Sequence, residues 1–232
     1  MNNLRNTPKT AIIVAGGTGA RMGADKPKQF LLLNGQPVLW HTLVSFLQSY
    51  EDLDILLVLP EAHFSEGEKI IASLDKGRKI RLVKGGDTRW ESVRNGLAHV
   101  THHGLVLVHD GVRCLIQPDL IRNCAEWAFV HGSAIPVVPA TDSIRMIEGE
   151  ESKVADRNTI RLVQTPQTFE VDDLKEAFSL CRRNDFTDEA AVWEAAGRKV
   201  SLVDGAYDNI KITRPVDLLI AESVLQHRSM LE

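Results

Sequence analysis

The segment from residue 11 to residue 30 reads AIIVAGGTGARMGADKPKQF. It begins with five apolar residues typical of a buried β-strand, and the following fifteen include four glycines, one arginine and two lysines. Glycine leaves backbone N–H groups uncovered, and nearby cations attract anions, so this loop is either a phosphate cradle or an ordinary flexible turn. The spacing of Gly17, Gly19 and Gly23 is one residue too long for GxGxxG, and no lysine followed by Ser or Thr closes a P-loop frame.

Further along the chain, short apolar runs alternate with segments of helical periodicity. The predicted strands are TAIIVA, DILLVLP, KIRLV, GLVLVHD and SAIPVVPA. This alternation predicts an α/β fold, a Rossmann-like and mostly parallel sheet with helices on both faces. Ligands of such sheets bind beyond the carboxyl ends of the strands, so the polar loops at those ends are the candidate site: residues 16–29, KGGDTRWES and HDGVR.

The stretch from about 141 to 165 departs from the alternation. SIRMI and TIRLV flank the acidic, glycine-containing EGEES, which predicts a projecting β-arm with a polar tip. Because exposed strand edges often pair between subunits, we expect a homodimer formed through the arm. Helices are predicted at about 171–182, 187–196 and 214–228, and residues 1–232 are expected to form a single domain.

Composition limits the possible functions. The chain has 232 residues and a formal net charge of −4, so a general nucleic-acid binder with a basic face is excluded. Its three cysteines are odd in number and form no CxxC pair, which argues against a disulfide framework or a zinc site. With no apolar signal region and no apolar run long enough to span a bilayer, we expect a soluble, cytoplasmic protein.

The glycine-rich loop resembles the signature loop of nucleotidyltransferases that couple a nucleoside triphosphate to a sugar phosphate or similar alcohol phosphate. Five further segments resemble the 2-C-methyl-D-erythritol 4-phosphate cytidylyltransferases in order and spacing, so that the likeness covers about residues 10–225. These segments are GGDTRWESVRNGL, VHDGVR, ADRNTIRLVQTPQTF, TDEAAVWEAAG and DNIKITRPVDLLIAE. The resemblance implies transfer of CMP from CTP to methylerythritol 4-phosphate, with Mg²⁺, in the non-mevalonate route to isoprenoids. The products are 4-diphosphocytidyl-2-C-methyl-D-erythritol and pyrophosphate.

The same resemblance implies roles for individual residues. Two pairs of cations are implied as catalytic, Arg21 and Lys28 at the triphosphate and Arg157 and Lys211 at the acceptor phosphate. Besides Arg21 and Lys28, the implied CTP-binding residues are Ala15, Gly16, Gly17, Gly19, Gly86, Asp87 and Ser92. Besides Arg157 and Lys211, the implied acceptor residues are Arg113, Ser143 and Thr165. Asp110 is the implied metal ligand, with Asp208 as a second candidate.

Several of these residues also have structural interpretations. Asp87 and Ser92 could cap a helix, whereas Asp110 and Asp208 could stabilise turns. His109 is interpreted as a packed histidine at the edge of the core, because no Ser-His-Asp or Cys-His set accompanies it. The four tryptophans lie in helical patterns and are interpreted as packing residues: Trp40, Trp90, Trp127 and Trp193.

Alternative functions remain open at this point. AGG in place of AAG and HDGVR in place of HDAAR resemble the ribitol 5-phosphate cytidylyltransferases, whereas ADRNTIRLVQTPQ favours the methylerythritol enzymes. A molybdopterin guanylyltransferase should lack the QTPQ and NIKIT segments. A non-catalytic nucleotide-binding protein should have lost at least one of the five charged residues of the implied site. All of them are present: Arg21, Lys28, Asp110, Arg157 and Lys211.

Overall fold

The structure is a computed structural model that describes residues 4–17, 26–74, 80–181 and 183–230. Within these ranges the strands are β1 (Lys9–Val14), β2 (Leu32–Leu33), β3 (Gln36–Pro37), β4 (Asp54–Leu59), β5 (Ile80–Lys84), β6 (Leu105–Asp110), β7 (Ser133–Pro139), β8 (Ile144–Glu148), β9 (Glu151–Ala155), β10 (Arg161–Val163), β11 (Gln167–Glu170) and β12 (Leu202–Asp204). The α-helices are α1 (Val38–Ser49), α2 (Phe64–Ser73), α3 (Arg89–Ala98), α4 (Pro118–His131), α5 (Val171–Leu180), α6 (Glu189–Ala195) and α7 (Pro215–Ser229).

Eight of the described strands form one mixed sheet. The order along it is β10-β7-β11-β6-β1-β4-β5, and β12 also pairs with β7. Strands β6, β1, β4 and β5 are parallel neighbours, whereas β11 runs antiparallel to both β6 and β7. The register places Val14 opposite Asp110, so the loops after β1 and β6 leave the sheet side by side. The predicted α/β, mostly parallel sheet is confirmed.

The central parallel strands β1, β4 and β6 are buried on both faces, which explains their continuous apolar sequences. Along β1, Ala11 and Ile13 belong to one apolar cluster and Ile12 to another on the opposite face. The first cluster includes residues of α1, α2 and α4, and the second includes residues of α3, α5 and α6. Helices therefore cover both faces of the sheet, as predicted.

The β-arm is a hairpin of β8 and β9, which pair antiparallel as a separate two-stranded sheet. Its two-residue loop begins with Gly149, whose φ of +63° favours glycine. The sequence prediction was wrong about the second strand, because TIRLV contributes β10, which pairs with β7 in the main sheet. The partner of β8 is instead the polar segment ESKVA of β9, which shows little of the apolar alternation used to recognise strands.

The C-terminal third follows the prediction closely. Helices α5, α6 and α7 fall within the predicted segments to within two or three residues at each end, and Pro215 occupies the first turn of α7. All three cysteines are free thiols, and two of them are buried. In the part of the chain that the structure describes, every helix is too short or too polar to cross a bilayer.

Candidate active site

The loop after β1 is anchored at its start. The Ala15 N–H donates to the Val58 carbonyl at 3.0 Å, and the Ala15 carbonyl accepts from Gln29 Nε2 at 2.8 Å. Gln29 is fully buried and belongs to the 3₁₀ turn Lys28–Phe30 that closes the loop. The predicted site residues Gly19 and Arg21 lie outside the described residues. Ala15, Gly16 and Gly17 do line the pocket described below.

Neither the backbone conformation nor the packing of the protein requires glycine at positions 16 and 17. Gly16 and Gly17 both lack a positive φ, and a Cβ atom added to either would meet no described atom closer than 3.9 Å. The space beside them therefore faces the pocket rather than the protein interior. Glycine at such a position allows another molecule to approach the backbone closely.

Replacing Gly17 with alanine is expected to separate ligand binding from stability. The free energy of unfolding should change by less than about 1 kcal/mol, because the backbone conformation accepts a side chain. The KM for a ligand of this pocket should rise about tenfold, equivalent to roughly 1.4 kcal/mol of lost binding, because the methyl group occupies space beside the loop. Thermal melting and steady-state kinetics measure the two effects.

Gly132→Ala is the matched control, since Gly132 ends α4 with a φ of +80° and does not line this pocket. This variant should lose stability and keep its KM. A Gly17→Ala protein with an unchanged KM would contradict close approach of a ligand at this position.

The loop after β5 is tightly constrained by the start of α3. A Cβ atom on Gly86 would lie 2.4 Å from Glu91 Cβ, so no larger residue fits there. Thr88 caps α3 in a reciprocal capping box with Glu91. The cap is therefore Thr88 rather than Asp87, and no described residue donates a hydrogen bond to the Asp87 carboxylate at the pocket wall. Asp87 thus remains available to a ligand.

Ser92 has a structural role in the same loop. Its buried hydroxyl donates to the Thr88 carbonyl at 2.9 Å and accepts from the Gly86 N–H at 3.1 Å. These two bonds connect the first turn of α3 to the glycine loop. Ser92 therefore fixes the loop shape, and direct contact between its hydroxyl and a base stays a prediction.

Asp110 lies at the centre of a charged cluster at the end of β6. Its Oδ1 atom lies 3.2 Å from Arg89 Nε, and its Oδ2 atom lies 3.0 Å from Lys211 Nζ and 3.4 Å from Arg113 Nε. Burial by itself would raise the pKa of Asp110, but Arg89, Lys211 and Arg113 outweigh it and hold the pKa well below its usual range. The carboxylate is therefore ionised at neutral pH.

Arg113 and Thr165 support this cluster from behind. Arg113 donates to the Asn209 carbonyl at 2.9 Å, which ties the end of β6 to the segment that carries Lys211. The Thr165 hydroxyl oxygen accepts from the Asp110 N–H at 3.1 Å. Both residues were predicted to contact the acceptor, but their polar atoms are engaged within the protein. Their contact with a substrate stays a prediction.

His109 is buried, packs against the Phe46 ring and connects Thr165 to Arg113. Its Nε2 atom lies 3.3 Å from the Arg113 carbonyl, which can only accept, so we assign the ring proton to Nε2. Nδ1 then accepts from the Thr165 hydroxyl at 2.9 Å. Burial lowers the pKa of His109 to about 3, so the ring is neutral at pH 7. The interpretation of His109 as a packed histidine agrees with this geometry.

Two lysines bring positive charge to the pocket from distant parts of the chain. Lys28 is buried, and its Nζ donates to the Ile212 carbonyl at 2.8 Å. Lys211 is 41% exposed and pairs with Asp110. The two ammonium groups therefore approach the pocket from opposite ends of the sequence.

These loops enclose a pocket of about 410 Å³ at the carboxyl ends of β1, β5 and β6. Its described lining residues are Val14, Ala15, Gly16, Gly17, Lys28, Gln29, Gly86, Asp87, Thr88, Arg89, Ser92, Asp110, Val112 and Lys211. The structure thus brings together Lys211, Asp110 and those described residues that were predicted to bind CTP. The pocket has the position and the charge expected of a site for phosphorylated ligands.

Three further predicted residues lie away from this pocket in the described structure. Arg157 lies near the base of the arm and donates to the Thr141 carbonyl at 2.8 Å. Ser143 is exposed just before β8. Asp208 is 2.5 Å from the Arg228 guanidinium on α7. Roles for these three residues stay predictions.

Four polar residues that the sequence patterns did not predict hold the site together: Arg89, Gln164, Gln167 and Glu189. Gln164 donates to the Ala206 carbonyl at 2.7 Å and so fastens the segment that leads to Lys211. Arg89, which is partly buried, and Glu189, which is fully buried, form an ion pair across 100 residues of sequence. Their signal was present in the segments GGDTRWES, QTPQ and TDEA, which were used for the resemblance without a physical role for each residue.

Asp110 suits a divalent cation that is bound together with a nucleotide. Mg²⁺ in such sites is held by one or two carboxylates and by substrate phosphates rather than by a cage of protein ligands. The described residues contain no group of three or more His, Cys, Asp or Glu side chains arranged for a metal. The ionised Asp110 carboxylate at the pocket wall is therefore a donor of the kind that Mg²⁺ uses together with substrate phosphates.

The sequence was compared with models of known families. The family model for 2-C-methyl-D-erythritol 4-phosphate cytidylyltransferase (IspD) matches residues 10–227, which include all of the sheet strands except the first residue of β1. The chain belongs to this cytidylyltransferase family.

Curated members of the cytidylyltransferase family match nearly the whole chain. The 2-C-methyl-D-erythritol 4-phosphate cytidylyltransferase of Phocaeicola vulgatus is 44% identical over 214 residues, covering 92% of this chain and 98% of the relative. The enzyme of the same name from Bacteroides thetaiotaomicron is 44% identical over 217 residues, covering 94% and 99%. The resemblance inferred from the sequence segments is therefore confirmed.

Solved structures of family members share the fold. The 2-C-methyl-D-erythritol 4-phosphate cytidylyltransferase of Thermus thermophilus has a TM-score of 0.76 and 34% identity, covering 95% of this chain and 99% of that one. The 4-diphosphocytidyl-2C-methyl-D-erythritol synthase of Anaerococcus prevotii has a TM-score of 0.82 and 28% identity, again covering 95% and 99%.

Proposed function

We propose that the protein transfers CMP from CTP to 2-C-methyl-D-erythritol 4-phosphate and releases pyrophosphate. The observation that carries the proposal is the pocket, which unites Lys28, Lys211 and Asp110 at the carboxyl edge of the sheet in a chain of this family. The products are 4-diphosphocytidyl-2-C-methyl-D-erythritol and pyrophosphate. The family places this activity in isoprenoid biosynthesis by the non-mevalonate route.

The reaction joins two anions, and this determines what the site has to supply. A phosphate oxygen of the acceptor attacks the α-phosphorus of CTP, and the bond to the pyrophosphate leaving group breaks. Because the nucleophile is already an anion, no general base is needed. Catalysis then depends on positioning and on positive charge near the reacting phosphorus.

We assign the CTP end of the pocket to the glycine-rich loop after β1 and to the loop between β5 and α3. Ala15, Gly16 and Gly17 present backbone that a nucleotide can approach, and Asp87 offers an acceptor at the pocket wall for the cytosine amino group. Lys28 supplies positive charge from the buried side. We extend this assignment to Gly19 and Arg21, which follow in the same loop outside the described residues.

The acceptor end is assigned to Lys211, with Arg113 and Thr165 behind it. Lys211 is half exposed and pairs with Asp110 by a single contact, so its ammonium group can reach a phosphate in the pocket. Arg157 and Ser143 lie on the arm side rather than in this pocket. We propose that a dimer formed through the arm brings these two residues to an acceptor site.

The homodimer proposal is supported by the arm itself. Ile147 and Val154 are both 73% exposed on its two strands, which leaves apolar surface for a second subunit to cover. We propose a single nucleotidyltransferase domain that carries this arm. Sedimentation velocity at two protein concentrations tests the dimer, and a monomer at both would reject it.

Asp110 is proposed to hold Mg²⁺ with the triphosphate, and Asp208 remains a second candidate. When bound, the ion neutralises charge on the phosphates. Asp208 would have to leave Arg228 to take part. Three free thiols also fit a reducing compartment, so we propose that the protein works in the cytoplasm.

Pyrophosphate release tests the proposed function directly. The purified protein is mixed with Mg²⁺ and CTP, and methylerythritol 4-phosphate is compared with ribitol 5-phosphate as acceptor. We expect release with methylerythritol 4-phosphate. Preference for ribitol 5-phosphate would reject this acceptor and keep the nucleotide site, and release with neither acceptor would reject cytidylyl transfer.

Lys211→Ala and Arg157→Ala are expected to act mainly on the acceptor. Each should raise the KM for methylerythritol 4-phosphate about tenfold or more, because a charge-assisted contact contributes roughly 1.5–3 kcal/mol. The KM for CTP should change little. Arg161→Ala is the matched control for Arg157, since Arg161 is exposed nearby and contacts only the backbone of its own turn. An effect confined to CTP would contradict the assignment.

A further inference from the structure

The Arg89 side chain, at the pocket wall, connects two buried carboxylates: Asp110, which also lines the pocket, and Glu189, which lies behind it. Its NH1 and NH2 atoms lie 2.5 and 3.0 Å from the two carboxylate oxygens of Glu189, and its Nε lies 3.2 Å from Asp110 Oδ1. All three guanidinium nitrogens are therefore engaged. This bidentate geometry fixes the plane of the guanidinium and with it the direction of Nε–H.

Glu189 is the first residue of α6, and hydrogen bonds at the start of this helix fix its position. Asp188 caps that helix by accepting from the Ala191 N–H at 3.1 Å, and it also accepts from Gln167 Nε2 at 3.0 Å. Gln167 Oε1 accepts in turn from the Ala190 N–H at 2.8 Å. Gln167 is fully buried on β11, opposite Val108 of β6. The position of Glu189 is thus fixed relative to the strand that carries Asp110.

Burial of the Glu189 carboxylate against the partly buried Arg89 is hard to explain by stability alone. Removing two charges from water costs several kcal/mol, and replacing a buried pair by apolar residues is often neutral or stabilising. Glu189 is 1% exposed and does not line the pocket, so it has no direct access to a substrate there. What the pair does provide is a rigid donor to one oxygen of Asp110.

The two oxygens of Asp110 then have different roles. Oδ1 is held by Arg89, whose other donors are fixed by Glu189. Oδ2 lies 3.0 Å from Lys211 Nζ, on a partly exposed side chain that makes a single contact to it, and 3.4 Å from Arg113 Nε. Because the Lys211 side chain is partly exposed and can move away, Oδ2 is the oxygen that a cation entering with the nucleotide can reach, whereas Oδ1 stays bonded to Arg89.

We propose that Arg89 and Glu189 are positioning residues that orient the Asp110 carboxylate, so that Oδ2 is presented to the divalent cation of the bound nucleotide. The inference rests on the proposed function for the identity of the nucleotide. Arg89 and Glu189 act through Asp110, and Glu189 does not contact the substrates.

The test compares Glu189→Gln with Glu194→Gln, which makes the same chemical change at an exposed position of the same helix. Binding of Mn²⁺ in the presence of CTP, without acceptor, is measured from the free Mn²⁺ signal in electron paramagnetic resonance. Partners of this kind typically change metal affinity about 10- to 100-fold. We expect Glu189→Gln to weaken Mn²⁺ binding at least about tenfold and to lower kcat, with the KM for the acceptor unchanged.

The proposal would be overturned if Glu189→Gln had the same Mn²⁺ affinity and the same kcat as Glu194→Gln. If Glu189→Gln does not fold, as judged by thermal melting, Arg89→Lys decides. It keeps the positive charge but lacks the three-nitrogen bridge, so it should show the same loss of Mn²⁺ affinity, and normal affinity in this variant would overturn the proposal. The Mn²⁺ readout needs no acceptor, so rejection of methylerythritol 4-phosphate as substrate would not be mistaken for failure of the positioning role.

Discussion

Lys28→Ala is expected to lower kcat about a thousandfold while leaving the fold intact, by analogy with the loss of a cation that stabilises phosphoryl transfer. The reason is the location of Lys28, whose buried Nζ is held 2.8 Å from the Ile212 carbonyl at the pocket wall. A fixed charge in a water-poor site stabilises developing negative charge far more than a solvated one does.

Lys26→Ala is the control for this prediction. It removes the same charge from an exposed side chain two positions before Lys28. It should leave kcat within a few-fold of the parent protein. Circular dichroism and single-turnover measurement of pyrophosphate release separate folding from chemistry. Near-normal turnover by folded Lys28→Ala would remove Lys28 from the transition-state role.

The second large effect is expected from Asp110→Asn, which should reduce both stability and metal binding. The substitution leaves Arg89, Arg113 and Lys211 around a neutral amide. Breaking a buried ion pair on one side typically costs about 3–5 kcal/mol of unfolding free energy. At the lower end of that range, the melting temperature should fall by about 10 °C for a chain of this size. Mn²⁺ binding in the presence of CTP should weaken at the same time.

Asp208→Asn is the informative comparison for both readouts. The Asp208–Arg228 pair is partly exposed, so its loss should cost less than about 1 kcal/mol. Weakened Mn²⁺ binding in this variant alone would transfer the metal role from Asp110 to Asp208. An unchanged Mn²⁺ affinity of Asp110→Asn, measured below its melting temperature, would contradict the assignment of Asp110 as the metal ligand.

The centre of the sheet was predictable because β1, β4 and β6 are buried on both faces and carry continuous apolar runs. Strand β9 was missed for the opposite reason: four of its five residues are not buried, so the segment ESKVA shows no apolar face. Gly149, at the first position of the two-residue loop, was the available signal for the correct pairing.

The pocket was predictable in outline because its residues follow strands or resemble family segments. The Arg89–Glu189 pair was not, since a charged residue in a sequence is normally assigned to the surface. Pairing of two charges 100 residues apart depends on how α3 and α6 pack on the same face of the sheet, and one sequence does not contain that information.

The bond from Lys28 to Ile212 spans 184 positions and has a consequence for biosynthesis. During synthesis the glycine-rich loop after β1 emerges from the ribosome well before the segment that contacts Lys28 and supplies Lys211. The Ile212 N–H also donates to the Val112 carbonyl at 2.9 Å, so this late segment docks on a sheet whose central parallel strands have already been synthesised. A nascent chain can therefore assemble those strands before it can acquire activity, and truncation before residue 209 would yield an inactive polypeptide.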